Sequence, residues 1–291
     1  MNIIFQINGG IGKCIMATAV CEAIKKQYPN DTLIVVSGYP DVFLNNPNVD
    51  RTYAFNGFSY FYEDYIENKE FKVFAHDPYL ETSHLLQNEH LIFTWCKMFN
   101  VIYNGEQPKI FLSDREKKFF GNKYVFEKPI LLLQTNGGAS TDMKYSWARD
   151  IPVVVASSVV EEFKDSYTIL HIRRDDQFLL ENTIPVTDSF RSLAVLISLS
   201  RKRLFLDSFA QHTAAALGMS STVCWITNKP EVFGYDLHDN IKSNPFTIKP
   251  ELKSSYLQKF NIGGDLLEFP YNSEKEIFNV DEIINSIKKQ K

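Results

Sequence analysis

The sequence has few cysteines and no pattern that would use them together. The four cysteines lie at positions 14, 21, 96 and 224, and none is part of a Cys-x-x-Cys pair. The first residues lack the basic start and the cleavage site of a secretory signal peptide. We therefore expect a cytoplasmic protein with reduced thiols, without disulfides and without a cysteine-bound metal.

The sequence also lacks a long apolar run and an excess of basic charge. No hydrophobic stretch approaches the ~20 residues that cross a bilayer, so membrane attachment is expected only as a peripheral contact at the inner membrane surface. The formal net charge is −4 at pH 7. Such a charge does not indicate the basic face with which proteins hold duplex nucleic acid.

The chain is long and apolar enough for two packed cores. Its 291 residues are 44% hydrophobic, and because domains usually contain roughly 100–200 residues, two are expected. Aromatic residues make up 14% of the chain, and we interpret them as core filling.

The first half alternates predicted strands and helices. An apolar run at 3–7, a glycine-rich turn, a helical pattern at 13–28 and an apolar run at 33–36 form one βαβ unit, whose strands should be parallel. The later elements of this half are predicted as a strand at 71–75, a helix at 84–99, a strand at 109–112 and a helix at 113–120. The polar stretch at 121–129 places the domain boundary between residues 125 and 126.

The second half repeats the alternation. Strands are predicted at 130–134, 168–172, 203–206 and 222–226, with helices at 151–163, 190–200, 210–217 and 280–289. The last helix could pack back on the first lobe. The fold class is therefore α/β, with two Rossmann-like lobes, 1–125 and 126–291, whose parallel sheets face a central cleft. Ligands bind such sheets at the carboxyl ends of their strands.

The first candidate segment runs from Asn8 to Cys14, Asn-Gly-Gly-Ile-Gly-Lys-Cys. Gly10 and Gly12 would let the backbone approach an anion closely. A tight turn without a ligand is one alternative. Another is the deviant phosphate loop of the partitioning ATPases, centred on Lys13, but that loop needs a hydroxyl where Cys14 stands.

Two further segments follow strands of the second half. The first is a loop that could hold phosphates through its N–H groups and a lysine; it contains Asn136, Gly137 and Gly138 and is followed by Lys144. The alternative is an ordinary solvated loop, which would show the same residue pattern. The third segment is Asp207–His212, Asp-Ser-Phe-Ala-Gln-His, at the start of a helix. Its alternative is a simple helix cap with a packed histidine.

The three segments, in this order, resemble glycosyltransferase family 9, the heptosyltransferase-like inverting enzymes of GT-B fold. The family opens with Gly-x-Gly-Asp after a strand, where this chain has Gly10 to Lys13. Its middle pattern is a glycine-containing loop and Lys-x-Trp, matched by Lys144–Trp147 with one additional residue. Its late pattern is Asp-Ser/Thr-Gly-x-x-His, matched by Asp207–His212 with Phe209 in the glycine position.

The resemblance implies a glycosyltransferase that uses a nucleotide-diphosphate sugar as co-substrate, without a cofactor or a metal. The first lobe would face the acceptor, and the second would hold the donor. Lys144 would stabilise the leaving diphosphate. The residues expected to bind the donor are Gly10, Gly12, Asn136, Gly137, Gly138, Arg173, Asp207, Ser208 and His212.

The main departure is Lys13, which stands where the family has an aspartate that deprotonates the acceptor. Three interpretations stay open: Asp77 or His76 is the base, Lys13 binds an anionic acceptor or a phosphate, or the protein binds nucleotide-sugars without catalysis. The acceptor is expected to be a glycan or a glycolipid, with a small molecule or a modified nucleic acid as alternatives. The ATPase centred on Lys13 is the rival activity.

Overall fold

The computed structural model describes residues 1–56, 58–137, 144–250 and 268–290. The chain forms two compact units, Met1–Asp114 and Arg115–Lys291. The boundary predicted between residues 125 and 126 lies a short distance beyond this division. The acceptor and donor roles of the two halves stay predictions.

The first unit is built on a parallel sheet with the strand order β3-β2-β1-β4. Its strands are Asn2–Ile7 (β1), Thr32–Ser37 (β2), Arg51–Tyr53 (β3) and Phe71–Phe74 (β4). Its helices are Ile11–Gln27 (α1), Phe61–Tyr65 (α2), Thr82–Leu85 (α3) and Leu91–Met98 (α4), with 3-10 turns at Pro40–Phe43 and Pro78–Leu80.

Different elements cover the two faces of this sheet. Successive side chains of a strand point to opposite faces, so neighbouring residues of β1 contact different covers. Phe5 contacts the rings of Trp95 and Phe99, at centroid distances of 5.3 and 5.5 Å. The neighbouring Ile4 belongs instead to a cluster with Ile34 and Val36, which the aromatic residues of the segment 53–66 cover.

Two predicted elements of the first unit are corrected. The helix expected at 84–99 is divided into α3 and α4, because Gln87 takes a positive φ of 52° that ends the first helical stretch. The strand expected at 109–112 is absent from the described structure. There the Lys109 amide donates to Thr18 Oγ1 of α1 (2.9 Å), so this segment follows a helix and not a sheet edge.

The second unit contains a parallel sheet with the order β10-β9-β8-β5-β6-β7. Its strands are Ile130–Leu133 (β5), Thr168–Ile172 (β6), Ile184–Val186 (β7), Lys202–Leu206 (β8), Thr222–Trp225 (β9) and Asp239–Lys242 (β10). Its helices are Asp114–Gly121 (α5), which spans the division, Val153–Phe163 (α6), Phe190–Leu199 (α7), Phe209–Ala216 (α8), Pro230–Phe233 (α9) and Val280–Lys289 (α10).

Both faces of the second sheet are buried under helices. Leu131 and Leu133 of β5 point to a core formed with α6 and α10, whereas Ile130 and Leu132 point to a core formed with α7 and α8. The apolar face of α10 is used within its own unit, through Ile283 and the residues around it. The predicted α/β class with parallel sheets in both halves is confirmed.

No helix in the described ranges is long and apolar enough to cross a membrane.

Two buried histidines of the second unit should make its stability depend on pH. Burial lowers the pKa of both His171 and His238 to about 4, below the value of ~6.5 in an unfolded chain. The unfolded state therefore binds more protons below pH 6.5, so stability is fully present above that pH and is lost as the pH falls towards 4.

We expect the Tm to fall between pH 7 and pH 5, with a loss of about 2 kcal/mol per histidine at pH 5. Thermal unfolding followed by circular dichroism at several pH values measures it. The variant His171→Gln should show a weaker pH dependence, and the exposed His76→Gln should match the wild type. A Tm that is flat or rises on acidification would contradict the assignment.

Candidate functional site

The loops that follow β1 and β4 lie side by side, because these two strands are paired. Gly9 has a φ of +112°, a conformation that favours glycine. A Cβ at this position would lie 3.0 Å from Lys13 Cδ. Gly9 thus lets the Lys13 side chain fold beneath the loop, while Gly10 is the N-cap residue of α1 and Gly12 lies in its first turn.

Lys13 and Asp77 form an ion pair at this edge of the first sheet, in which Lys13 is buried and Asp77 is partly exposed. The Lys13 Nζ donates to Asp77 Oδ1 at 2.6 Å and lies 4.3 Å from the centroid of the Tyr79 ring. Burial lowers the pKa of Lys13, and the hydrogen bond to Asp77 opposes this shift. The structure therefore brings together two predicted residues that are 64 positions apart in the chain.

The neighbours of this pair differ in their exposure. His76 has an exposed side chain and does not take part in the ion pair. His84 stacks on the Tyr79 ring at 4.7 Å, and burial lowers its pKa to about 4, so it is neutral near pH 7. Cys14 is fully buried within α1.

At the edge of the second sheet, the Asp150 carboxylate organises the loop that follows β5. Its Oδ1 accepts from the Gly137 amide (2.8 Å), and its Oδ2 accepts from Asn136 Nδ2 (3.1 Å) and from the Ser146 amide (2.9 Å). Burial raises the pKa of Asp150, and these hydrogen bonds oppose the shift. The sequence reading missed this residue, although an acidic side chain just before the N-cap residue Pro152 of α6 is a detectable signal.

The predicted loop residues are tightly held by the protein itself. Asn136 Oδ1 accepts from Thr135 Oγ1 (2.9 Å), and the carbonyl of Gly137 accepts from Gln177 Nε2 (2.9 Å). A Cβ on Gly137 would lie 3.2 Å from Arg149 Cδ, so a larger residue there would press on the Arg149 side chain. The predicted Gly138 lies outside the described residues.

Lys144 and Arg173 both lie near this loop, but their side chains have different surroundings. Lys144 has an exposed side chain. The pKa of the Asp176 carboxyl lies below its usual value because of a hydrogen bond from Arg174 and, to a lesser degree, because of the charge of Lys144. Arg173 donates to the carbonyls of its own loop, at Asp175 (2.7 Å) and Gln177 (3.1 Å), and so shapes the loop after β6.

The turn from β8 into α8 is held without a side-chain cap. Asp207 accepts at its carboxylate from Asn228 and at its carbonyl from Arg149 Nε (2.7 Å). Ser208 is the N-cap residue of α8, but its side chain makes no capping hydrogen bond. Its hydroxyl accepts instead from Gln134 Nε2 (3.1 Å). Ser208 therefore does not cap α8 through its side chain, and the assignment of Asp207 and Ser208 to the donor stays a prediction.

His212 is buried one turn into α8. Its Nδ1 lies 2.8 Å from the Tyr235 hydroxyl, and the two rings meet edge to face. Gln211 beside it donates to the carbonyl of Phe233 (3.1 Å), which fixes the end of α9 against α8. In the described structure His212 is thus a packed residue as well as a predicted ligand of the donor.

Among the described residues, no group of three or more His, Cys, Asp or Glu side chains could hold a metal ion.

The sequence matches no family model and no curated protein, but it matches solved structures. A glycosyl transferase family 9 protein from Veillonella parvula DSM 2008 is 12% identical, with 99% of this chain and 96% of that chain covered and a TM-score of 0.68. The ADP-heptose lps heptosyltransferase II of E. coli is 12% identical, with coverages of 83% and 90% and a TM-score of 0.64.

The third comparison is TibC, a dodecameric iron-containing heptosyltransferase in complex with ADP-D-beta-D-heptose. It is 12% identical, with coverages of 98% and 72% and a TM-score of 0.64. The chain has the GT-B fold of these proteins. The resemblance to glycosyltransferase family 9 is thereby confirmed at the level of the fold, and the roles of individual residues stay predictions.

Replacing Asp150 should loosen the loop after β5. Asp150→Ala leaves the Gly137 amide and the Asn136 side chain without their acceptor, and should destabilise the second unit by roughly 2–3 kcal/mol. Chemical denaturation followed by fluorescence measures the loss. The exposed Asp165→Ala in the same unit is the control. Equal stability of the two variants would show that the carboxylate does not organise the loop.

Proposed function

We propose that the protein is a glycosyltransferase that moves a sugar, of hexosyl or heptosyl type, from a nucleotide-diphosphate sugar to an acceptor hydroxyl. The observation that supports this most is the start of α8, where no side chain caps the helix. It meets the Asn136 loop at the carboxyl edge of the second sheet, in a chain with the GT-B fold. One of the similar proteins is an ADP-heptose lps heptosyltransferase, and another is in complex with ADP-D-beta-D-heptose. Both agree with a nucleotide-diphosphate sugar as the donor.

The donor diphosphate would bind at the second sheet. The Ser208 side chain does not occupy the first amides of α8, and free amides at a helix start favour an anion. The exposed ammonium of Lys144 would add a positive charge. Because negative charge grows on the diphosphate as the bond to the sugar breaks, these groups would lower the barrier without a metal or another cofactor.

In the proposed reaction, the acceptor oxygen attacks the anomeric carbon from the side opposite the diphosphate. The bond between that carbon and the diphosphate oxygen breaks, and the anomeric configuration is inverted. The electron pair of the broken bond stays on the leaving nucleoside diphosphate. The acceptor's proton must pass to a base on the protein.

We assign this base to Asp77. Its Oδ1 accepts from both Lys13 Nζ (2.6 Å) and the Tyr79 amide (3.0 Å), which fixes the carboxylate next to the β1–α1 loop. Within the described structure, Oδ2 has no such hydrogen bond and would take the proton. Lys13 would position this carboxylate. The negative charge of Asp77 would then lie in the region where the family carries its aspartate.

The other interpretations receive less support. A phosphate-loop ATPase needs Lys13 at a phosphate, but its ammonium is buried against Asp77 and Tyr79. An anionic acceptor at Lys13 would have to displace the same carboxylate. A protein that binds nucleotide-sugars without catalysis is separated from an enzyme by the variants below.

Lys144 and His212 should affect different stages of the reaction. A thermal-shift screen with ADP-, UDP- and GDP-sugars first identifies a donor, since a ligand of the native state raises the Tm. We expect Lys144→Ala to slow release of the nucleoside diphosphate from that donor about 100-fold. His212→Ala should mainly weaken donor binding.

The exposed Lys128→Ala is the matched control for Lys144→Ala, and Tyr235→Phe tests whether the hydrogen bond to His212 matters. Normal turnover in both the Lys144 and His212 variants would contradict the proposed donor site. A donor-induced Tm shift without turnover in the wild type, with a broad panel of acceptors, would favour the non-catalytic binder.

Asp77→Asn should slow turnover about 100-fold or more, because the base is removed while the donor site is intact. Steady-state kinetics measures the rate, and the donor-induced Tm shift shows that donor binding is kept. His76→Asn is the control. The exchanged pair Lys13→Asp with Asp77→Lys keeps the charges balanced, so it should fold and should be faster than Asp77→Asn. Wild-type turnover in Asp77→Asn would remove Asp77 from the mechanism.

A further inference from the structure

The aromatic content of the first unit is concentrated in one segment. Residues 53–65 read Tyr-Ala-Phe-Asn-Gly-Phe-Ser-Tyr-Phe-Tyr-Glu-Asp-Tyr, with more aromatic than other side chains. We name this stretch the aromatic segment. It begins at Tyr53, the last residue of β3, at the carboxyl edge of the first sheet.

Part of the aromatic segment is structural. Tyr53, Phe58, Phe61 and Tyr65 pack on one another and cover the cluster around Ile4. The hydroxyls of Tyr53 and Tyr65 lie 2.8 Å apart and share a hydrogen bond. These rings fix the segment on the sheet.

Other rings of the same segment point to solvent. The exposed fraction is 73% for Tyr60, 60% for Tyr62 and 37% for Phe55. Tyr39, two residues after β2, is 41% exposed. Tyr60 also has a φ of +62°, which is strained for a large side chain. These rings do not fill the core, and Phe55, Tyr60 and Tyr62 lie within eight residues of sequence. Exposed apolar side chains that share one segment are typical of a binding surface.

The charges within this stretch of the sequence favour one kind of ligand. The sequence has no lysine or arginine between Arg51 and Lys69, and Glu63 and Asp64 are exposed beside the rings. Proteins that stack nucleic-acid bases on aromatic rings add basic side chains for the phosphates. A neutral sugar fits instead, because its C–H face packs on an aromatic ring and its hydroxyls donate to carboxylates.

The position of the segment sets the size of the ligand. The Phe55 ring lies 3.8 Å from where a Cβ of Gly38 would be, so it touches the end of β2. Asp77 follows β4, three strand positions away from β3, which is roughly 14 Å at the spacing of neighbouring strands. A single sugar ring is too small to contact both places.

We infer that the exposed rings Phe55, Tyr60 and Tyr62 bind a neutral oligosaccharide acceptor, at sugar units remote from the hydroxyl that reacts near Asp77. This inference rests on the proposed function for the meaning of acceptor. The binding of the oligosaccharide itself is testable without turnover.

The test is saturation-transfer NMR of the full chain with neutral hexose and N-acetylhexosamine oligosaccharides of increasing length. Tyr60→Asn combined with Tyr62→Ala removes two exposed rings, and asparagine tolerates the positive φ at position 60. We expect longer oligosaccharides to bind the wild type, and to bind the double variant about tenfold more weakly. Phe246→Ala, which removes an exposed ring of the second unit, should leave binding unchanged.

Absence of binding by every neutral oligosaccharide, or equal binding by the double variant, would overturn the inference. A preference for anionic glycans or single-stranded RNA would also overturn it. The donor-induced Tm shift is measured on the same proteins. If donors bind but oligosaccharides do not, only this inference fails. If oligosaccharides bind through the two tyrosines but no nucleotide-sugar binds, the proposed transferase fails and the carbohydrate surface stands.

Discussion

A parallel strand that is buried on both faces needs a cover on each side, and its polar chemistry can emerge only at its ends. This constraint governs both units of the chain. In the second unit, β5 sends alternate leucines into two helical cores. In the first, helices cover the Phe5 face and aromatic residues cover the Ile4 face. The candidate side chains therefore collect at the carboxyl edges, where loops replace the regular sheet.

The loops at the two edges are stabilised by buried charge in different ways. Asp150 is satisfied by backbone and amide donors, so its charge fixes the shape of a loop. Lys13 and Asp77 satisfy each other. A buried ion that loses its partner is costly, so the aspartate that follows the neighbouring strand β4 stabilises the buried lysine at position 13.

The alternation of strands and helices could be predicted from the sequence because the central strands are continuous apolar runs. The edge strands β3, β7 and β10 were missed, since they are short and partly exposed and leave no apolar run. The three candidate segments were found from glycines and polar residues after strands. Their partners, Asp150, Arg149 and Tyr79, were not, because nothing in local sequence shows which distant side chain a loop will meet.

The contact between Gly9 and Lys13 has a consequence for the evolution of this fold. A Cβ at position 9 would press on the Lys13 stem, whereas a short side chain at position 13 would leave that space open. Among related chains, a lysine at position 13 should therefore occur together with glycine at position 9 and an acidic residue at position 77. Chains with aspartate at position 13 do not need the acidic partner at position 77, so positions 13 and 77 should vary together, whereas the positive φ at position 9 favours glycine in both cases.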